Sequence, residues 1–221
     1  MILKKWENIP EIMKNDYVKE YYDILSHRKI SLILKRIFDI VMATILLLLL
    51  SPILLILAVW IKLDSQGPIF YRQERITTNG KTFRIYKFRT MVVDADKKGA
   101  LVTSKNDSRI TNIGQKIRKC RLDEFPQLIN VLKGEMTFVG TRPEVKKYVN
   151  AYTDEMKATL LLPAGVTSFA SIRFKDEDEI ISSYVTEKKS IDDVYIEMVL
   201  PQKMDYNLEY LKKFKFLEDI K

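Results

Sequence analysis

Residues 40–61 read IVMATILLLLLSPILLILAVWI, and no charge interrupts them. Their length matches the roughly 20 apolar residues that cross a bilayer as a helix. A chain of 221 residues rarely surrounds such a run on all sides, so the run points to a membrane helix and away from a soluble core. It is no secretory signal, because it starts far inside the chain and no small-residue cleavage site follows. Ser51-Pro52 sits near its centre. Proline removes a backbone donor and clashes with the preceding turn, which predicts a kink. The Ser51 hydroxyl is the candidate partner for the carbonyl that proline leaves unpaired. His27, Arg28, Lys29, Lys35 and Arg36 precede the run, and Lys62, Arg72, Arg75 and Lys81 follow it. Basic flanks stay cytoplasmic, so a kinked helix that enters and leaves one leaflet satisfies both features. A straight span with a mild proline kink is the alternative.

The rest of the chain carries a net charge of +8 with it, and 47% hydrophobic residues overall exclude global disorder. Such basicity suits a polyanionic partner: nucleic acid, anionic lipid or a phosphorylated substrate. Cys120 is the one cysteine and His27 the one histidine. An intrachain disulfide, a cysteine zinc site and a multi-histidine metal site are therefore excluded, and a Ser-His-Asp triad is disfavoured. Seven glycines form neither a P-loop nor a dinucleotide-binding run. Phosphate chemistry in this chain must rest on carboxylates, a metal ion and Arg or Lys.

Three parts follow from the pattern: an N-terminal extension over 1–35, the apolar helix over 36–63 and a compact domain over 64–221. The extension reads as one or two short amphipathic helices on the surface, with an interfacial membrane contact as the alternative. In the domain, 69–72 and 82–88 resemble strands around the hairpin signal Asn79-Gly80. Helices are predicted over 107–122 and 124–133, the latter stopped by Gly134. A further helix is predicted within 143–161, a strand over 166–174, a helix starting at 176–179, and a last helix over 192–213 interrupted near Pro201.

Four segments are candidates for chemistry. Asp123 and Glu124 precede Pro126, which is tolerated only in a first helical turn. Both carboxylates then sit at the positive end of a helix, beside Arg118, Lys119 and Arg121. They are placed to attack phosphorus or to hold Mg²⁺, unless they are an ordinary N-cap and first-turn acid. Lys87 and Arg89 share a strand face by alternation and are spaced to clamp a diphosphate; a solvated strand edge is the bland reading. Asp94-Ala95-Asp96 has the D-x-D form by which glycosyltransferases hold a nucleotide-sugar's metal, but too little chain precedes it for a nucleotide-binding half. Arg142, between Gly140 and Pro143, is set to grip phosphate bidentately or simply to brace a loop.

In order, Lys35-Arg36-x-x-Asp39, the Ser-Pro-broken run, Gly67-Pro68-Ile69-Phe70, Gln73-Glu74-Arg75, Lys87-Phe88-Arg89-Thr90-Met91, Leu122-Asp123-Glu124-x-Pro126-Gln127-Leu128-x-Asn130-Val131-Leu132-x-Gly134 and Val139-Gly140-x-Arg142-Pro143 resemble the bacterial sugar transferase family. More narrowly they resemble its small monotopic phosphoglycosyl transferases, from about residue 35 onward. The resemblance implies a mixed α/β, mostly helical monotopic protein of the bacterial inner membrane, with its catalytic domain on the cytoplasmic face. It implies that Asp123 attacks the β-phosphate of a UDP-sugar, releases UMP and passes the phospho-sugar to undecaprenyl phosphate. Glu124 is then the partner associated with Mg²⁺. Lys87, Arg89, Arg118 and Arg142 would meet phosphate, as would Arg173 or Lys175. The implied partners are membrane lipid, downstream glycosyltransferases of surface-glycan assembly and a second copy of the chain, with no nucleic acid. Thr141 replaces a proline of the family's pattern, a glycine is lost in the stretch from Pro163 to Ala170, and Asn207 stands at a position that is often aspartate. Two rivals remain: a D-x-D glycosyltransferase releasing UDP, and a non-catalytic membrane-anchored assembly factor.

Overall fold

The computed structural model describes residues 3–95, 107–174, 177–185 and 189–220. The apolar run lies within one helix, α2 (Lys29–Asp64), which follows α1 (Asp16–Ser26) after a short turn. A helix of 36 residues measures about 54 Å at 1.5 Å per residue. It is long and apolar enough to cross a membrane, and only 11% of its most apolar window is buried. That exposure separates it from the core helix of a soluble domain. Pro52 stands inside it and cannot donate to the carbonyl of Leu48, four residues back. The Ser51 hydroxyl donates to that carbonyl at 2.8 Å, as the sequence suggests.

Both halves of α2 pack on the same body. Toward the N-terminal side, Ala43, Leu46 and Leu47 meet Phe83, Leu128 and Val131. Arg36 donates to the Val131 and Leu132 carbonyls at 2.6 and 2.9 Å, closing the C-terminal end of α4 (Gln127–Lys133) in the manner of a helix-end cation. The fully buried Asp39 accepts from the Thr137 hydroxyl at 2.7 Å and the Phe138 N–H at 3.1 Å. Toward the C-terminal side, Leu57 and Ile61 meet Phe88, Ile113 and Ile117. The Asp64 carboxylate accepts from the Ile113 N–H at 3.2 Å, at the start of α3 (Asn112–Lys119). Between these anchors Leu48, Leu49, Ile53, Leu55 and Ile56 are exposed.

The strands form three pairs. β1 (Phe70–Tyr71) runs antiparallel to β4 (Lys87–Phe88), and β2 (Glu74–Ile76) antiparallel to β3 (Thr82–Arg84). The Asn79-Gly80 turn is where the sequence puts it, with both residues at positive φ (57° and 69°). The strand entering it is 74–76, however, and 70–71 pairs further out along the same ribbon. β5 (Met136–Val139) lies parallel to β6 (Ala164–Thr167). Here two glycines meet: a Cβ on Gly165 would stand 2.4 Å from the Gly140 nitrogen. Gly134 ends α4 at φ 78°, as its sequence position predicts.

Several expectations are corrected. The N-terminal segment is no surface extension. Ile9, Met13, Val18, Tyr21 and Leu25 enter the largest core cluster, against Leu160, Leu161, Met204 and Leu211. The helix expected within 143–161 is reduced to α5 (Lys146–Val149) and a 3₁₀ turn at Met156–Leu161. The strand expected over 166–174 stops at Thr167. Ser168 then caps a helix, α6 (Phe169–Arg173), by accepting from the Ser171 N–H at 3.0 Å. α7 covers Glu177–Tyr184. The last helical stretch is α8 (Ile191–Val194), a π-turn over Tyr195–Val199 and α9 (Leu200–Lys213). Pro201 stands directly after the π-turn, inside a continuous helical stretch that the proline does not interrupt.

Candidate active site

α3 ends at Lys119, and the chain turns at Arg121, whose φ is 53°. A left-handed conformation in a non-glycine residue costs about 1 kcal/mol. It bends the chain sharply into the 3₁₀ turn Leu122–Glu124, which leads through Pro126 into α4. Asp123 and Glu124 thus sit at the entry to α4, close to the position read from Pro126. α4 itself starts at Gln127, so the carboxylates stand in a tight turn ahead of it.

Two cations converge on Glu124 from elsewhere in the chain. Lys87 Nζ on β4 reaches Glu124 Oε1 at 2.8 Å, and Arg142, just beyond β5, lies 3.5 Å from the same oxygen. Burial pushes the Glu124 carboxyl up, but Lys87 and Arg142 together outweigh it and hold Glu124 below the usual carboxylate range. Asp123 behaves oppositely. Burial raises its proton affinity, Lys87 opposes, and the Glu124 charge adds to the rise. The Asp123 carboxylate has no ion pair among the described residues. The adjacent acids are therefore driven apart: Glu124 is held as an anion by the two cations, and Asp123 is the more basic of the two carboxylates. Divergent environments for paired titratable groups mark sites of chemistry. Burial also lowers the Lys87 ammonium, against the pull of Glu124.

The support for these groups was not apparent in the sequence. Asn130 is fully buried. Its Oδ1 accepts from the Tyr86 N–H at 2.8 Å, and its Nδ2 donates to the Arg84 carbonyl at 3.0 Å and to Glu135 at 2.7 Å. The strand that carries Lys87 is thereby fixed to the helix that follows Glu124. Arg75 Nη1 donates to the Pro143 carbonyl at 3.1 Å and lies 3.8 Å from the Glu144 carboxylate. Tyr195, on the π-turn, donates to Glu144 at 2.6 Å. These contacts brace the Arg142 turn from behind. Thr141, in place of proline, does not leave the turn loose, because its carbonyl accepts from the Gly165 N–H at 2.7 Å. Arg75 and Asn130 belong to the ordered motifs, and that order was their only signal.

The other candidates are distributed unevenly. Arg118, in the last turn of α3, lowers the proton affinity of Asp123 by its charge without pairing with it. Arg89 is not at the site. It is 5% exposed and donates to the carbonyls of Pro68, Gln66 and Ser65 at 2.7, 2.6 and 2.7 Å. It closes the C-terminal end of α2, so the expectation of a phosphate ligand is corrected. β4 ends at Phe88, and beyond it strand alternation no longer aims side chains. Gly67, at φ 128°, makes room: a Cβ there would approach Arg89 to 3.1 Å. Arg173 lies on α6 over the Phe169 ring, in a cavity against α9, and does not meet the dyad. Lys175 and Asp96 fall outside the described residues, and Asp94 sits in a turn at φ 59°. Asn207 is buried against Met204. Among the described residues no three His, Cys, Asp or Glu side chains gather as metal ligands.

The bacterial sugar transferase profile matches residues 30–221. The chain is 34% identical over 190 residues to a UDP-N-acetylgalactosamine-undecaprenyl-phosphate N-acetylgalactosaminephosphotransferase of Aeromonas hydrophila, covering 85% of this chain and 41% of the relative. It is 34% identical over 193 residues to the UDP-glucose:undecaprenyl-phosphate glucose-1-phosphate transferase of Escherichia coli (strain K12), covering 86% of this chain and 38% of the relative. It is 50% identical over 112 residues to the exopolysaccharide production protein PSS of Rhizobium leguminosarum bv. phaseoli, covering 50% and 56%. The chain thus spans about two fifths of the length of the first two relatives.

Proposed function

This chain belongs to the bacterial sugar transferase family, and from that premise we propose that it transfers a sugar-1-phosphate from a UDP-sugar to undecaprenyl phosphate. The observation that carries the assignment of roles is the split of the dyad: Glu124 held ionised by Lys87 and Arg142, Asp123 with raised basicity and no ion pair among the described residues. In the first step an Asp123 carboxylate oxygen bonds to the β-phosphorus, the bond from that phosphorus to the bridging oxygen breaks, and UMP leaves with the electron pair. In the second, a phosphate oxygen of the lipid attacks the same phosphorus, and Asp123 is released as carboxylate. Lys87 and Arg142 are placed to donate to phosphate oxygens as charge builds on them, with Arg118 adding to the positive field.

Mg²⁺ takes one or two carboxylates and completes its shell with substrate phosphate and water. The donor set here, two adjacent carboxylates and no third acid among the described residues, fits that habit, with Glu124 and Asp123 as the protein's contribution. The ion would offset charge on the diphosphate and the leaving UMP.

The packing of α2 supports a membrane arrangement. Both of its halves touch one domain while its middle, around Ser51-Pro52, is exposed and apolar. With both flanks basic, this supports a re-entrant helix that dips into one leaflet and returns. The domain then lies on the cytoplasmic face of the inner membrane, where a soluble donor and a lipid acceptor meet.

The test is nucleotide release from a panel of UDP-sugars with undecaprenyl phosphate and Mg²⁺, for the wild type and Asp123→Asn. UMP release that disappears in the variant is expected, and the active donor names the sugar. UDP release that survives the substitution would overturn the reading.

A further inference from the structure

A cavity of about 490 Å³ opens between α6, α9 and the tail that follows α9. Arg28, Arg173, Lys212, Lys213 and Lys215 line it, against Glu209 and Glu218; its remaining acid, Asp219, is paired with Lys35. The surplus is cationic. The elements that line the cavity also carry large apolar side chains in the open: Phe169, itself in the lining, and Ile172 on α6, Leu217 and Ile220 on the tail. Exposed apolar side chains on two neighbouring elements beside clustered cations are what an interfacial membrane contact presents.

The position of the cavity agrees. Arg28 immediately precedes α2 and donates to the Phe214 carbonyl at 2.5 Å. Phe38 of α2 meets Phe216 edge-on, with ring centroids 5.7 Å apart. Ile30, in the first turn of α2, is 76% exposed. The cavity therefore sits beside the N-terminal end of α2, ahead of the apolar run, on the side where α2 as a membrane helix would meet the lipid headgroups. A soluble phosphate would use the cations and leave the apolar rim unexplained. A phospholipid uses both.

We propose that this cavity binds the headgroup of an anionic phospholipid, its phosphate among Arg28, Arg173 and Lys215 and its acyl chains along Ile172, Leu217 and Ile30. The site is separate from the Asp123–Glu124 dyad. It ties α6, the tail and the N-terminal end of α2 to one leaflet. The inference rests on α2 being a membrane helix and is independent of the transfer reaction.

The test is native mass spectrometry of the full chain in mild detergent, titrated with phosphatidylglycerol, phosphatidylcholine or undecaprenyl phosphate. The wild type should retain phosphatidylglycerol preferentially. A cation near a headgroup is worth roughly fivefold in affinity. Lys215→Gln, at an exposed position, should therefore lose about fivefold, and the triple variant Arg173→Gln/Lys212→Gln/Lys215→Gln roughly a hundredfold. Equal retention of the two phospholipids, an undiminished preference in both variants, or preferential retention of undecaprenyl phosphate would each overturn the proposal. Extraction of membranes with alkaline carbonate separates the premise: a wild-type chain that washes off would refute the membrane helix itself.

Discussion

Arg89→Lys keeps the charge of a motif residue and changes only its shape, so it separates two roles for that residue. The guanidinium makes three short hydrogen bonds to the Ser65, Gln66 and Pro68 carbonyls, plus a weak one to Ile61 at 3.5 Å. A lysine ammonium on a flexible stem can keep about one of the three, because it lacks the planar fork that reaches all at once. Two charge-assisted bonds are lost, at about 1.5–3 kcal/mol each. Gln66 and Pro68 are exposed, so water recovers part of the loss, leaving about 2–4 kcal/mol. For a chain of this size 1 kcal/mol moves the midpoint by about 2–4 °C, which gives a fall of roughly 5–15 °C in apparent Tm. The assay is thermal unfolding in detergent alongside kcat/KM for the UDP-sugar at 25 °C. The expected result is a lowered Tm with kcat/KM within about threefold of the wild type. A Tm within about 1 °C of the wild type, with kcat/KM reduced more than about tenfold, would refute the reasoning and return Arg89 to phosphate binding.

Three further outcomes are expected. Burial holds the Asp123 pKa above its unfolded value, so stability declines as pH rises from the ordinary aspartate range through the folded-state pKa. Asp123→Asn removes that loss, and its Tm at neutral pH should exceed the wild type's by a few °C while UMP release stops; a lower Tm would contradict the burial argument. With Asp123 as the proposed nucleophile, which must be ionised to attack, the same shift places the acid limb of the kcat/KM profile above the ordinary aspartate range, since Glu124 titrates below that range. A limb at or under the ordinary value would sink that assignment. Ser51→Ala leaves the Leu48 carbonyl unpaired in hydrocarbon and should cost about 1–2 kcal/mol of stability in detergent, with Ser51→Thr close to the wild type; equal stability of all three would show that water or another group serves that carbonyl.

What the sequence determined by itself was local. A charge-free run of sufficient length specifies a helix apolar enough to cross a membrane, and Ser51-Pro52 specifies both the missing backbone bond and its remedy, because the freed carbonyl and the hydroxyl lie three residues apart. Asn79-Gly80 and Gly134 specify their turns because only certain residues adopt positive φ cheaply. Adjacency and Pro126 place Asp123 beside Glu124 at a helix entry. The tertiary structure decided which charges meet. Lys87 and Arg142 arrive at Glu124 from other segments, and Arg89, two residues from Lys87, turns away to close α2 because the strand has already ended. The N-terminal segment looked like a polar surface extension, since its apolar residues are few and spread out. Val18, Tyr21 and Leu25 fall on one face of α1, and only the presence of α9 and the Met156–Leu161 turn opposite makes that face a core. Partners far apart in the chain meet through packing, which no local rule of backbone or spacing encodes.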